Sequence, residues 1–523
     1  MKIVKTHELT PQTMPASETE KLWIYNGLDC CVTNEVLHII EPQLDNQTRA
    51  IYEFSKSLQA PVLEMKLRGV LIDPDLRNRV VQAYQKDISY LSENLNVIAR
   101  EGIGMASINF ASPKQLKELF YERLKIPPIK KRARINGEYT YTPTVDRNAL
   151  EQLDNYFLAQ PLISHILGLR DLAKKVSVLR TNIDSDGRMR TSYNIAGTST
   201  GRFSSSLSDF GTGTNLQNIE DRLRSVFVAD PGMKFAYVDL EQAESRLVGA
   251  IEWNLFHDPT YLDACESGDL HTSVCQLAWG DAVRWTGRID EDKKLAEQPF
   301  YRQHSFRHMA KVLGHGTNYN GKPHTMSKHT KLDAKLIAEF QSKYFAAFPA
   351  HQRWHAHVAS ELRQHGNLTS LTGRRRWFFG RRDDDSTVRE AIAFDPQGSV
   401  ADILNRGMLN VWRENICQLL LQIHDAILIQ YPEDREDQIV PLVMQAIKVP
   451  VELLHGRTLI IPSEAKVGWN WASYCCGNRS NPGCEECKRE ENPDGLTKWR
   501  GADRRTRQRP APAQLDFVLH STN

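Results

Sequence analysis

The chain has 523 residues, 41% of them hydrophobic, so a single small domain is excluded and three or four lobes are expected. Its 66 basic and 64 acidic residues leave a formal charge of +2, which neither demands nor excludes a nucleic-acid partner and shifts attention to local clusters. The start, MKIVKTHELT, has no apolar signal core, no run of about 18 apolar residues could span a bilayer, and nine cysteines lack the spacing of a disulfide framework. A cytoplasmic chain with reduced thiols and no membrane partner is expected, in the host cytoplasm if the source is viral.

LWIYNGLDCCVTNEVL reads as a helix that puts Tyr25 and Asp29 one turn apart, followed by Thr33. PVLEMKLRGVLID reads as an amphipathic helix stopped by Gly69 and passing into a short strand. The pattern to about Leu150 is helical but broken by SPKQL, by Pro127 and Pro128, and by KKRARINGEYTYTPT, which reads as a mobile basic loop. Residues 161–180 form a longer helix, and the Ser, Thr and Gly-rich stretch after it predicts turns and strands. FAYVDL predicts a strand ending at Asp239, with a helix starting near Gln242. Residues 266–394 are mostly helical by periodicity, with a basic turn at Gly373–Asp385. VREAIAFDPQGSVADILNRGML predicts a loop into a helix, punctuated by Pro396 and Gly398, and LLLQIH and AILIQY predict a hairpin with His424 and Asp425 at its tip. Further basic clusters occur at Arg374–Arg376 with Arg381 and Arg382, and at Arg504, Arg505, Arg507 and Arg509. Any one of them is explained as well by solvated surface as by a ligand.

Two features point to chemistry. A carboxylate at the end of a buried strand is costly unless it is paired or holds a metal, and Asp239 and Asp425 are both in that position. In RHMAKVLGHGTNY, Arg307, Lys311, His315 and Tyr319 recur every fourth residue and share one helical face, two cations followed by two rings. Taken alone, the stripe is equally a half-exposed helix face. Combined with two carboxylates able to hold cations, it suits a nucleoside triphosphate.

These segments, in this order, resemble the family A DNA polymerases, the group that includes bacterial DNA polymerase I and many phage enzymes. DLEQAESR (Asp239–Arg246) resembles motif A, R-x3-K-x7-Y (Arg307–Tyr319) motif B, and QIHD (Gln422–Asp425) motif C. TGRFSS at Thr200, NLQNI at Asn215, DLH at Asp269 and PQG at Pro396 also match in order, so the resemblance covers roughly residues 20–473. It implies an α+β right-hand fold with an antiparallel-sheet palm, fingers and thumb. The implied boundaries are an exonuclease remnant at 1–50, thumb at 51–160, palm at 161–265 and 395–473, fingers at 266–394, and a tail at 474–523. It further implies a DNA-directed DNA polymerase, replicative in a phage or similar element, acting on a DNA primer-template and dNTPs with two Mg²⁺ ions. Asp239, Asp425 and the Leu240 carbonyl would hold the metals. Arg307, Lys311, His271, Gln242, Glu244, His315 and Tyr319 would surround the dNTP, with Glu244 blocking a ribose 2′-OH. Arg202, Asn215, Gln217, Gln397 and His424 would contact primer-template. A single-subunit RNA polymerase or an inactive primer-template-binding subunit are the alternatives; Glu244, TGR and QIHD favour DNA synthesis, and intact Asp239, Lys311 and Asp425 favour activity.

The sequence departs from the family pattern at His315, usually Phe or Tyr, at Ala426, usually acidic, at Asn320, usually glycine, and at Ala393 and Asp395. Beyond Trp471 the resemblance stops. There, Cys475, Cys476, Cys484 and Cys487 include one C-x2-C pair, a candidate Zn²⁺ site, followed by a basic end. Tyr25 and Asp29 resemble the third motif of the family's 3′-5′ exonuclease, but too few residues precede them for the first two motifs. The expectation is that proofreading is lost or completed by a separate exonuclease polypeptide docking on residues 1–50; a processivity factor is a second expected partner. A labelled primer with a mismatched 3′ end, incubated with the chain and Mg²⁺ but no nucleotides, should therefore stay intact. Shortening that persists in Asp425→Ala and disappears in Asp29→Ala would refute this.

Overall fold

The computed structural model describes residues 17–135, 138–301, 304–473, 492 and 494–501. Cys475, Cys476, Cys484, Cys487 and the basic end lie outside the described residues. Helix α1 (Glu18–Ile40) is capped by Ser17, whose hydroxyl accepts from the Glu20 N–H. Helix α2 (Gln59–Arg68) ends at Gly69, whose φ of 64° turns the chain directly into strand β1 (Val70–Ile72). Helix α3 (Pro74–Ile103) begins at Asp73, which accepts from the Leu76 N–H at 2.8 Å.

The basic stretch read as a mobile loop is instead a hairpin of strands β2 (Lys130–Ile135) and β3 (Glu138–Pro143). Alternating Tyr and Thr on β3 favour extended backbone, and the Arg132 guanidinium lies over the Tyr139 ring at 4.0 Å. Helix α4 (Gln160–Leu179) packs along α3 through Leu162, Ile166 and Leu169, with Leu95 and Ala99 opposite, in a core of their own.

The central sheet comprises β4 (Met233–Leu240), β5 (Gln418–Ile423), β6 (Ala426–Pro432), β7 (Ser463–Gly468) and β8 (Thr497–Lys498). Its order is β5-β6-β4-β7-β8, antiparallel throughout. MKFAYVDL and AILIQYP are nearly continuous in apolar residues because their strands lie inside the sheet with helices over one face. Helix α5 (Ala243–Phe256) and helix α10 (Asp385–Arg413) supply that cover: Leu247 and Ala250 from one, Val400, Leu404 and Met408 from the other, share a core with Val238 and Leu240.

Between α5 and α10 lie helix α6 (Leu270–Trp279), helix α7 (Phe306–Asn318), helix α8 (Ala334–Ala347) and helix α9 (Ala350–His365), with a second core around Leu313, Phe340, Tyr344 and Trp354. The expected loop before Pro396 is absent, since α10 runs unbroken through it. An interior proline costs about 3 kcal/mol, but Ile392, Phe394, Val400 and Ile403 are fully buried on either side and hold the helix together. Gly398 lets the TGR segment approach, because a Cβ there would stand 3.1 Å from the Thr200 carbonyl.

Helix α5 touches the following helix (Thr260–Glu266) at Gly249, where an added Cβ would lie 2.7 Å from the Leu262 Cα. Backbone cannot yield there as a side chain would. Gly249→Ala should cost about 1–3 kcal/mol of stability by denaturant unfolding, and an unchanged midpoint would mean that the two helices can separate freely.

Candidate active site

The sheet register brings together the two carboxylates that lie 186 positions apart by their numbers, Asp239 and Asp425. Asp239 is the penultimate residue of β4 and is paired across the sheet with Ala426, the first residue of β6. Asp425 sits in the tight β5–β6 turn, where His424 has a φ of 54° and the Leu240 N–H donates to the Asp425 carbonyl at 3.1 Å. Burial, then the charge of Asp425, pushes the Asp239 carboxyl up to about 6. Burial raises Asp425 as well, opposed by Arg202. Two half-buried carboxylates, both raised by desolvation and one also by the other's charge, suit a divalent cation, which would relieve these penalties. Among the described residues no three His, Cys, Asp or Glu side chains gather around one point, so the donor set available is this pair with nearby backbone carbonyls.

Glu244, in the first turn of α5, joins the sheet to α7. Its carboxylate accepts from Arg202 at 2.5 Å and from the Tyr319 hydroxyl, and lies 3.5 Å from the His315 imidazole. Arg202 also reaches Asp425 at 3.3 Å. Four predicted residues therefore form one chain of contacts: Asp425, Arg202, Glu244 and Tyr319, with His315 at its edge.

The expected stripe on α7 is present. Lys311 and His315 are exposed and Arg307 and Tyr319 half-buried, while Met309, Ala310, Leu313 and Thr317 face inward. Arg307 is already engaged, donating twice to Asp269 at 2.7 Å and lying 3.6 Å from Glu297. Burial would raise the Asp269 carboxyl, but Arg307 and Thr272 outweigh it and hold it at about 2. Asp269 also caps α6 and so places His271, whose imidazole burial and the Arg307 charge lower to about 4. This holding role of Asp269 was not signalled by the sequence beyond its place in DLH. The C-terminal end of α7 is fixed by Asn318, which bonds Tyr261, Tyr344 and the fully buried His351, itself 2.8 Å from Glu252. No motif pointed to that network either.

The other predicted residues divide. Gln242 is in a left-handed conformation (φ 53°) at the start of α5, next to the aspartates, and Leu240 is the last residue of β4. Gln397, half-buried on α10, precedes the glycine that touches the TGR segment. Gln217 is 7% exposed and donates to Gln422, and Asn215 accepts from Ser205 and from the Gln217 N–H, so both brace the β5–β6 turn from within. Tyr25 and Asp29 lie exposed on α1.

The model of DNA polymerase family A matches residues 78–473. The chain belongs to DNA polymerase family A. It is 28% identical to DNA polymerase I of Deinococcus radiodurans over 462 residues, 84% of this chain and 44% of that protein. It is 28% identical to DNA polymerase I of Chloroflexus aurantiacus (86% and 46%) and 26% identical to the thermostable DNA polymerase I of Thermus thermophilus (86% and 52%). The chain thus spans about half the length of these relatives. The structure of the POL domain of Pol1 from M. smegmatis, in complex with DNA primer-template and dNTP, superposes with a TM-score of 0.63 at 24% identity, covering 80% of this chain and 70% of that one. The likeness establishes the right-hand fold of this family A chain. No helix among the described residues is long and apolar enough to cross a membrane.

The raised Asp239 carboxyl has a definite sign in stability. Between pH 4 and 6 the folded family A chain keeps a proton that the unfolded chain, with an ordinary value of 3.8, has released. The carboxyl's contribution is therefore complete below pH 4 and lost as pH rises to 6. With a chelator present, Asp239→Asn should unfold later than the wild type at pH 8, by about 1–3 kcal/mol, and the gap should close towards pH 4. Equal stability at both pH values would contradict it.

Proposed function

We propose that the chain is a template-directed DNA polymerase that extends a DNA primer with dNTPs, using Asp239 and Asp425 to hold two Mg²⁺ ions. The observation that carries this reading is the juxtaposition of those two half-buried carboxylates with a node, Arg202–Glu244–Tyr319, that runs to the cationic face of α7. The names of the relatives, and the primer-template and dNTP in the Pol1 complex, support it. On this reading the β4–β7 sheet is the palm (161–265 and 395–473), the helices of 266–394 the fingers, and residues 51–160, including the basic β2–β3 hairpin, the thumb. A replicative phage role, and a separate exonuclease or processivity partner, rest on the sequence resemblance alone.

When bound between these carboxylates, the metal ions supply Lewis-acid activation of the primer 3′-OH and stabilise charge on the α-phosphate and leaving pyrophosphate. The chain's own residues set the geometry. Asp239 and Asp425 are fixed by backbone pairing and need no rearrangement to converge. Lys311, exposed and without an ion-pair partner among the described residues, is placed to take phosphate oxygens, with Arg307 and His271 beside it. Glu244 is immobilised by three neighbours, so a ribose 2′-OH directed at it would meet a carboxylate that cannot easily turn aside. That feature favours deoxynucleotides over the RNA polymerase alternative.

A primer-extension assay with Mg²⁺ and either nucleotide set tests the reading. Asp239→Ala or Asp425→Ala should reduce extension by a factor on the order of 10³ while primer-template binding survives. Glu244→Ala should lower the ratio of dNTP to rNTP efficiency by roughly ten- to a hundredfold. Turnover like that of the wild type in either aspartate variant, or an unchanged ratio, would overturn the corresponding assignment.

A further inference from the structure

The residue directly opposite Asp239 on the other side of β4 is Glu464 of β7. Residues paired across antiparallel strands project from the same sheet face with Cβ atoms roughly 4.5–5.5 Å apart. Asp239 is thus flanked on its own face by Ala426, which has no charge, and by Glu464, which does. Glu464 is largely buried, with a side-chain exposure of 18%, and is met at 2.7 Å by the ammonium of Lys498, which is itself 53% exposed. Lys498 belongs to β8, beyond the end of the family match at residue 473.

The segment carrying Lys498 is firmly seated. Lys466 and Val467 of β7 pair with Lys498 and Thr497 of β8, and the Trp499 N–H donates to the Ala465 carbonyl at 2.9 Å. Leu496 is buried, and the Trp469 and Asn470 N–H groups both donate to the Asp494 carbonyl. Gly468 runs so close to Gly495 that a Cβ on it would stand 2.6 Å from that carbonyl oxygen. An appended strand that only closed the sheet edge would not need to present a cation to the glutamate paired with Asp239.

We propose that Glu464 is a positioning residue for the catalytic cations, adding negative charge beside Asp239 where Ala426 adds none, and that Lys498 on the appended strand tempers it. The inference rests on the reading of Asp239 as a metal ligand. Glu464 acts through space and not as a ligand, so a neutral isostere should weaken cation binding without abolishing it. Removing Lys498 should do the reverse, since Glu464 would then face Asp239 with less neighbouring positive charge. Lys466, on the same strand, stays in place in both variants and offsets part of the effect.

The test is the binding of Mn²⁺ to the full chain with primer-template, followed by the electron paramagnetic resonance signal of free Mn²⁺, with thermal melts run on every variant. Glu464→Gln should raise the apparent Mn²⁺ dissociation constant by roughly three- to tenfold. Lys498→Met, at an exposed side chain, should lower it by roughly two- to threefold. Opposite signs support the proposal, because lost packing or a loosened strand would weaken binding in both. Shifts in the same direction, or no shift in either, overturn it. Asp239→Ala separates the two levels: unchanged Mn²⁺ binding there would remove the metal reading itself, whereas loss of binding there with unchanged Glu464→Gln and Lys498→Met would remove only this inference.

Discussion

The structure depends on holding two carboxylates against their mutual repulsion. Two unit charges 4 Å apart interact by about 4 kcal/mol at the effective dielectric of a protein surface, and both aspartates here are also largely withdrawn from water. Flexible side chains on separate loops would relax apart. The β4–β6 pairing prevents this, because the Leu240 N–H donates to the Asp425 carbonyl and Asp239 is locked opposite Ala426. The turn that carries Asp425 is secured from beneath, with Gln217 bonding Gln422, Gln422 bonding the His424 carbonyl and Tyr193 bonding Gln422. Gln217, expected to contact primer-template, also helps to hold this turn.

The same constraint explains Arg202. Its guanidinium offsets the Asp425 charge and simultaneously fixes Glu244, so the two carboxylates share one cation. Tyr319 ties that cation's partner to the C-terminal end of α7, which the adjacent buried Asn318 network also fixes. Any displacement of α7 therefore alters the partners of Glu244. His315 completes this arrangement with a ring that can hydrogen-bond to Glu244, which a phenylalanine at that position could not.

Much of this was legible in the sequence, for physical reasons that differ between elements. Asp239 and Asp425 stood out because a charged residue ending an apolar strand is costly, and the four-residue period of α7 survived because one face is buried and the other is not. The family motifs supplied the rest of the site, and Glu244, Arg202 and Tyr319 do converge. Two misreadings have different causes: burial on either side outweighs the local preference of Pro396 inside α10, whereas the exposed β2–β3 hairpin is supported by Arg–Tyr stacking that is invisible in a charge count. The pairing of Arg307 with Asp269 and of Glu464 with Asp239 could not be seen at all, since each joins segments whose separation follows no period.

The contrast between the two cations of α7 shows how such a site can be charged yet stable before a substrate arrives. Arg307 is held by two carboxylates, so its guanidinium keeps one orientation and its charge is balanced inside the fold. Lys311 projects into solvent, where an ammonium is well hydrated and costs little. A triphosphate could engage Lys311 without breaking any contact, whereas using Arg307 means sharing it with Asp269. Asp269 releases little in that exchange, because its carboxylate retains the hydroxyl and the backbone N–H of Thr272. On the proposed reading the division would give capture of charge to the lysine and alignment of charge to the arginine, and it follows from which of the two positions on the helix is half-buried.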